Sequence, residues 1–137
     1  MTPSAVVDAS VVLRWFVEDR WTAAALAAAD RFDLIAPAVL NAEVANALRN
    51  HIRHGQMTFD RAQVHLGGLG TAISIVDDGP LMPSALRWAI DGDHPVYDCV
   101  YLALAAREGI PMLTADMKLA RKFAEAPGIQ ILTLESL

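Results

Sequence analysis

The sequence predicts an α/β protein, a three-layer α/β/α sandwich built on a short, mostly parallel sheet. Three observations point there. Short apolar runs rich in β-branched residues recur along the chain and alternate with segments of helical period. Alanine is abundant while aromatic residues make up only 7%, which suits helices packed closely on a sheet rather than an all-β sandwich. Glycine and proline punctuation is short and local, with no linker, repeat or low-complexity segment, so residues 1–137 read as one domain.

The elements follow in order. Ala5 to Val7 is an apolar strand ending at Asp8. Ser10 to Val17 is a helix with Ser10 as its N-cap. Thr22 to Arg31 is an alanine-rich helix, and Leu34 to Ala36 a strand stopped by Pro37. Between Pro37 and His54, the residues Leu40, Val44, Ala47, Leu48 and Ile52 fall at helical spacing, and Gly55 ends that helix. Thr58 opens a helix running to about Leu69, with Gly67, Gly68 and Gly70 read as punctuation. Ala72 to Val76 is a strand, and Leu81 to Ile90 a helix that tolerates Pro83 only in its first turn. Val96 to Glu108 is a helix closed by Gly109, Ile110 to Thr114 a strand, Met117 to Ala124 a helix capped by Asp116, and Gln130 to Thr133 the last strand.

Composition narrows the function classes. The chain is 54% hydrophobic, enough for a real core without disulfides or a structural metal. Its single cysteine, Cys99, sits in an apolar stretch and reads as a buried thiol in a reducing, cytoplasmic setting. No signal-peptide pattern and no membrane-spanning apolar window is present, so no membrane partner is expected. A net charge of −5 argues against a broad basic face for duplex nucleic acid. It leaves room for a nuclease, because carboxylates gathered for a metal make a chain acidic.

In open parallel sheets, sites form beyond the carboxyl ends of strands at a topological switch point. Asp8 lies there, inside an otherwise apolar run, where it serves either as a helix cap or as a site carboxylate. Asp116 also follows a strand and is equally an ordinary N-cap. Asp98 opens a helix that is apolar nearly all round. The helix dipole would favour it there, but a buried carboxylate needs a partner or an ion. Glu43 falls at the edge of the Leu40/Val44/Ala47 stripe, with Asn46 and Asn50 along the same edge, so these residues either line a cleft or are boundary positions. If these acids converge, like charges at close range require a cation. Every candidate ligand is an oxygen, which favours Mg2+ or Mn2+ over zinc. Such a site suits in-line displacement at phosphorus.

Four segments resemble the PIN-domain family and, within it, the VapC toxins. They are Val7-Asp8-Ala9-Ser10-Val11, Pro37 through Glu43 to Asn46, Tyr97-Asp98-Cys99-Val100-Tyr101-Leu102-Ala103-Leu104-Ala105, and Leu113-Thr114-Ala115-Asp116-Met117-Lys118-Leu119. They occur in the family's order across the whole chain. The resemblance implies that Asp8, Glu43, Asp98 and Asp116 form a catalytic acidic quartet, with Asp8, Asp98 and Asp116 holding the metal. It implies that Thr114 supplies a hydroxyl near the metal and that Asn46 is a polar neighbour of the quartet. It further implies a Mg2+-dependent endoribonuclease cutting single-stranded or loop RNA with a metal-activated water, a homodimer, and inhibition by a VapB-type antitoxin. One departure is that Met117, Lys118 and Leu119 stand where a further acid often follows, which weakens the case for a second ion. His94-Pro95 has no place in the pattern, and His94 is expected on a surface loop.

Among the basic residues, Arg14, Arg49, Arg53, Lys118, Arg121 and Lys122 could meet phosphate, Lys118 foremost because it follows Asp116; solvated surface charge is the plain reading of each. Trp15, Trp21 and Trp88 could stack on bases or serve as core or dimer contacts. Competing folds fit less well. A haloacid-dehalogenase-type phosphatase needs an acid where Ser10 stands, and a receiver domain needs an adjacent acidic pair after the first strand. The remaining alternative is a catalytically silent PIN-like scaffold that binds RNA or a protein partner.

Overall fold

In a computed structural model describing residues 1–137, the apolar runs form five short strands: β1 (Ser4–Val7), β2 (Asp33–Pro37), β3 (Ser74–Val76), β4 (Met112–Thr114) and β5 (Ile131–Thr133). The helices between them are α1 (Ala9–Phe16), α2 (Thr22–Arg31), α3 (Val39–Arg53), α4 (Phe59–Ala72), α5 (Met82–Gly92), α6 (Val96–Glu108) and α7 (Met117–Lys122). The sheet order is β3-β2-β1-β4-β5 and every neighbouring pair is parallel. The sheet is therefore wholly parallel rather than mostly so.

This order places a switch point between β1 and β4. The chain steps one way from β1 through β2 to β3, then crosses back to β4 and β5 on the other side of β1. Right-handed crossovers put the helices of the two directions on opposite faces, which gives the three layers. The register Val6↔Met112 and Val7↔Leu113 carries Asp8 alongside Thr114 at the carboxyl ends of the two strands.

The core is one continuous apolar cluster. Its centre is α6, which packs across β1, β2 and β4 and buries every residue from Cys99 to Ala105. A helix so surrounded has no polar side to expose, which explains its lack of a polar stripe. Cys99 is free and buried within it. Trp15, Trp21 and Trp88 pack against the same core, and the Trp15 indole N–H donates to the Ala25 carbonyl at 2.9 Å. No helix is long and apolar enough to cross a membrane.

Several boundaries differ from the sequence reading. Asp8, not Ser10, caps α1: its Oδ1 accepts from the Ser10 and Val11 N–H groups, which frees the Ser10 hydroxyl for a longer-range role. The helix α4 runs through Gly67, Gly68 and Gly70 to Ala72, because Ala62, Leu69 and the following Ile73 anchor it on the core. Tertiary burial outweighs the roughly 1 kcal/mol that each glycine costs a helix. Consequently β3 starts at Ser74 rather than Ala72. Pro37 ends β2 instead of starting α3, whose first N–H, at Val39, is capped from a distance by Asp78 Oδ2 at 2.7 Å. β4 starts at Met112 because Ile110-Pro111 is a connecting segment, although the Pro111 carbonyl still accepts from Val6 N–H. α7 stops at Lys122, and β5 starts at Ile131.

Candidate active site

Asp8 leaves β1 at the switch point and is only 5% exposed. Its Oδ1 accepts from Ser10 N–H at 3.0 Å and from the Ser10 hydroxyl at 2.5 Å. Its Oδ2 accepts from the Thr114 hydroxyl at 2.5 Å. Burial nevertheless dominates and pushes the carboxyl up to about 6, with the charge of Asp98 adding to the rise. Thr114, fully buried at the end of β4, also accepts from the backbone N–H of Asp116 at 3.0 Å. The Ser10 hydroxyl in turn accepts from Ala115 N–H at 2.8 Å. These bonds tie the ends of β1 and β4 into one unit.

Glu43 arrives from the second turn of α3, half-buried, and accepts from the Tyr101 hydroxyl at 2.5 Å. Burial raises the Glu43 carboxyl above its ordinary value; the Tyr101 bond opposes the rise and the Asp98 charge adds to it. Tyr101 is wholly buried in α6, and its phenol is pushed far above the usual range by burial, by the Glu43 charge and hydrogen bond, and by the charges of Asp8 and Asp98. That one hydroxyl thus sits within the field of three carboxylates carried by β1, α3 and α6.

Asp98 lies in the first turn of α6 at the mouth of this cluster, its side chain 33% exposed. His94 is not a surface loop residue. Its side chain is 13% exposed and its Nε2 lies 2.7 Å from Asp98 Oδ2. Asp116 caps α7, its Oδ1 accepting from Lys118 and Leu119 N–H at 3.0 and 3.1 Å. Its tie to Asp8 runs through Thr114 rather than through its carboxylate. Asn46 is exposed one turn beyond Glu43.

Tyr101, Ser10 and His94 carry no site role in the sequence reading, where Ser10 is only a helix cap and His94 a surface loop residue. The signal for Tyr101 was present: a hydroxyl one turn after Asp98, in a helix buried all round, needs a polar partner. Ser10 and His94 gave no comparable signal, since Ser10 meets Thr114 and Ala115 at the end of β4 and His94 is held by Lys122 and Phe123 at the end of α7.

No Lys or Arg pairs with any of the four acids, and the only basic side chain at hydrogen-bond distance is His94 on Asp98. No three His, Cys, Asp or Glu side chains stand close enough to form a ready-made metal cage. Arg14 has its Nη1 on the Ser10 carbonyl at 2.6 Å and its Nε 3.1 Å from Asp19, whereas Lys118 and Arg121 are exposed on α7. Lys122 Nζ is engaged by the Asp93 carbonyl and His94.

A family model described as "PIN domain" matches residues 5–124. The chain belongs to the PIN-domain family. Within that family it is similar to "Ribonuclease VapC3" of Pyrobaculum aerophilum, 34% identical over 86% of this chain and 93% of the relative. The PIN fold is matched by the crystal structure of a Pyrobaculum aerophilum protein, with a TM-score of 0.74 and 24% identity over 99% of this chain and 94% of that one. It is matched also by a chain from VapBC2 of Rickettsia felis bound to a DNA fragment from its promoter, with a TM-score of 0.67 and 12% identity over 94% of this chain and 97% of that one. The five-stranded, wholly parallel sheet that carries Asp8 and Asp116 is the PIN architecture.

Proposed function

We propose that this PIN-domain chain is a divalent-metal-dependent endoribonuclease of one domain, the toxin of a VapBC-type pair, and that Asp8, Glu43, Asp98 and Asp116 are its catalytic acids. The observation that carries the reading is Glu43 hydrogen-bonded to the buried Tyr101 hydroxyl, with Asp8 at the sheet's switch point and Asp98 near enough for their charges to act on it and no Lys or Arg to balance them. Carboxylates brought close together without a balancing Lys or Arg are a site for a cation. The donor set is all oxygen, which suits Mg2+ or Mn2+. Mg2+ keeps several waters and takes only one or two carboxylates directly, so a ready-made cage is not required of the protein.

Asp8, Asp98 and Asp116 would hold the ion. When bound, the ion supplies activation of the attacking water and stabilisation of the leaving oxygen at phosphorus. The protein groups set the geometry. Thr114 fixes Asp8 Oδ2 and the backbone of Asp116, so that two ligands are held by one buried hydroxyl. Tyr101 orients Glu43, while Asn46 stands exposed one turn along the same helix, within reach of a bound strand. Lys118 and Arg121 are exposed on the helix that Asp116 caps and would supply phosphate contacts; Arg14, engaged on Ser10 and Asp19, has less of its guanidinium to offer RNA.

Two exposed apolar surfaces support a reading with protein partners. Between α3 and α4 lies an apolar groove of about 420 Å³ lined by Leu48, Ile52, Phe59 and Leu66, with Arg49 and Arg53 among its walls, which would seat a VapB-type antitoxin. Met82, Leu86 and Ile90 form an exposed apolar row on α5, 38%, 55% and 63% exposed, which would serve a homodimer. A cytoplasmic location follows from this reading of the chain as one half of a soluble toxin–antitoxin pair.

The test uses purified, partner-free protein, total RNA, and reactions with Mg2+, with Mn2+ and with EDTA. Cleavage is expected in both metal arms and in neither the EDTA arm nor a folded Asp98→Asn variant. Equal cleavage by wild type and Asp98→Asn would overturn the assignment.

A further inference from the structure

His94 touches the acid cluster, yet the proposed chemistry gives it no task. We propose that His94 is a positioning residue that orients the Asp98 carboxylate, and that the C-terminal end of α7 holds His94 in the form able to do so. The inference rests on Asp98 belonging to the metal site.

The hydrogen-bond roles follow from the neighbours. His94 Nε2 is 2.7 Å from Asp98 Oδ2, one helical turn away. On the other side of the ring, Lys122 Nζ is 3.2 Å from Nδ1. An ammonium group has donors and no acceptor, so Nδ1 must accept. The ring hydrogen then sits on Nε2 and is donated to Asp98. Lys122 is itself placed by a 2.9 Å bond to the Asp93 carbonyl, which keeps the ammonium beside the ring.

The ring is also held in place. Phe123 meets it edge-on with centroids 5.5 Å apart and planes at 81°. Phe123 is 4% exposed and presses on the preceding turn: a Cβ at Gly92 would lie 2.6 Å from its ring. Asp93 adopts a left-handed φ of 46°, and His94 N–H donates to the Ala89 carbonyl at 3.0 Å. Pro95 then fixes the entry to α6. A side chain gripped at its backbone, its ring edge and Nδ1 has little rotamer freedom left to lose when it holds a ligand.

The arrangement links two of the acids through one short helix. α7 begins at Asp116, its N-cap, and ends at Lys122 and Phe123, the two residues that grip His94. The spacing between Asp116 and Asp98 is therefore set by a rigid helix and a clamped imidazole rather than by a free loop. With Oδ2 of Asp98 held by His94, Oδ1 is the oxygen left without a protein partner. Hydrogen bonds to ligating carboxylates tune metal sites in this way, and their loss costs about 10–100-fold in affinity.

The experiment is Mn2+ titration by calorimetry on full-length wild type and on His94→Ala, His94→Gln, Lys122→Met and Asp98→Asn variants with wild-type melting behaviour. It is joined to 15N NMR of the His94 ring in metal-free protein. We expect His94→Ala to weaken Mn2+ binding by about 10–100-fold. His94→Gln, whose amide nitrogen can replace Nε2, should recover most of that loss. The metal-free wild-type ring should carry its hydrogen on Nε2, and Lys122→Met should mix the two tautomers. Wild-type affinity in His94→Ala beside weakened Asp98→Asn overturns the positioning role and leaves the site standing. Asp98→Asn that binds Mn2+ as wild type does, or wild type that binds none, overturns the site reading itself. A hydrogen on Nδ1, or His94→Gln as weak as His94→Ala, overturns the hydrogen-bond role.

Discussion

Two neighbouring strands, β1 and β4, each run into an aspartate that caps the next helix. Asp8 accepts from the N–H groups of Ser10 and Val11, and Asp116 from those of Lys118 and Leu119. The local pattern is the same, but the surroundings differ. Asp8 is 5% exposed under α6, and both its oxygens are taken by protein hydroxyls and amides. Asp116 is half-buried, and only its Oδ1 accepts from the protein. One strand-end aspartate is therefore enclosed with its charge disfavoured, while the other keeps one oxygen without a protein partner. The lesson is that a cap motif gives the position of a carboxylate, while the layer that covers it gives its chemistry.

Activity is the readout where the two should agree. Asp8→Asn and Asp116→Asn both keep an oxygen for capping, so both should fold. Each should lower RNA cleavage by at least the roughly 100-fold that loss of one preorganised electrostatic group costs. Measured cleavage rates at saturating Mg2+ decide it. If Asp116→Asn stays within a few-fold of wild type, Asp116 is a cap alone and the site has three acids.

Stability against pH should separate them. Asp8 binds its proton more tightly in the folded chain, at about 6 against 3.8. The folded state thus holds more protons than the unfolded state between those values, and stability falls as pH rises through that window. The contribution is fully present below about pH 4 and lost above about pH 6, amounting to roughly 3 kcal/mol. Urea unfolding of metal-free protein from pH 4 to 7 should show this slope in wild type and in Asp116→Asn, and a flattened slope in Asp8→Asn. The same slope in Asp8→Asn would assign the titration to another group, Glu43 being the first to examine, since burial raises it too.

How far the sequence discloses this contrast depends on where each constraint lies. Asp8, Asp98 and Asp116 are conspicuous because each breaks or ends an apolar run, and the α6 helix is bounded correctly by its composition and Gly109. The alternation of strands and helices leads to a parallel sheet. Local cues mislead where tertiary burial overrides them, as in the glycines of α4. They are mute where a bond spans distant segments: Ser10 to Ala115, Glu43 to Tyr101, and Asp78 capping α3 from the end of β3. Burial of Asp8 to 5% and the clamp on His94 are properties of the assembled layers, and no short window of sequence contains them.

Thr114 is the joint between the two aspartates, and its removal should sharpen their difference. Thr114→Val keeps the shape but deletes the hydroxyl that donates to Asp8 Oδ2 and accepts from Asp116 N–H. A buried acceptor left without its donor costs about 1–3 kcal/mol. The pH-dependent part of that cost should fall on Asp8 when it is charged, whereas the Asp116 N–H loses its acceptor at every pH. The Thr114 bond lowers the Asp8 proton affinity, so its loss should also move the titration of Asp8 upward. Denaturant unfolding at pH 7 and pH 4 tests this directly. The expected result is a destabilisation at pH 7 that shrinks at pH 4, where the protonated carboxyl no longer needs the donor. A loss of equal size at both pH values would mean that the hydroxyl serves the β4 backbone rather than the Asp8 charge, and the two strand ends would then be independent caps instead of one coupled site.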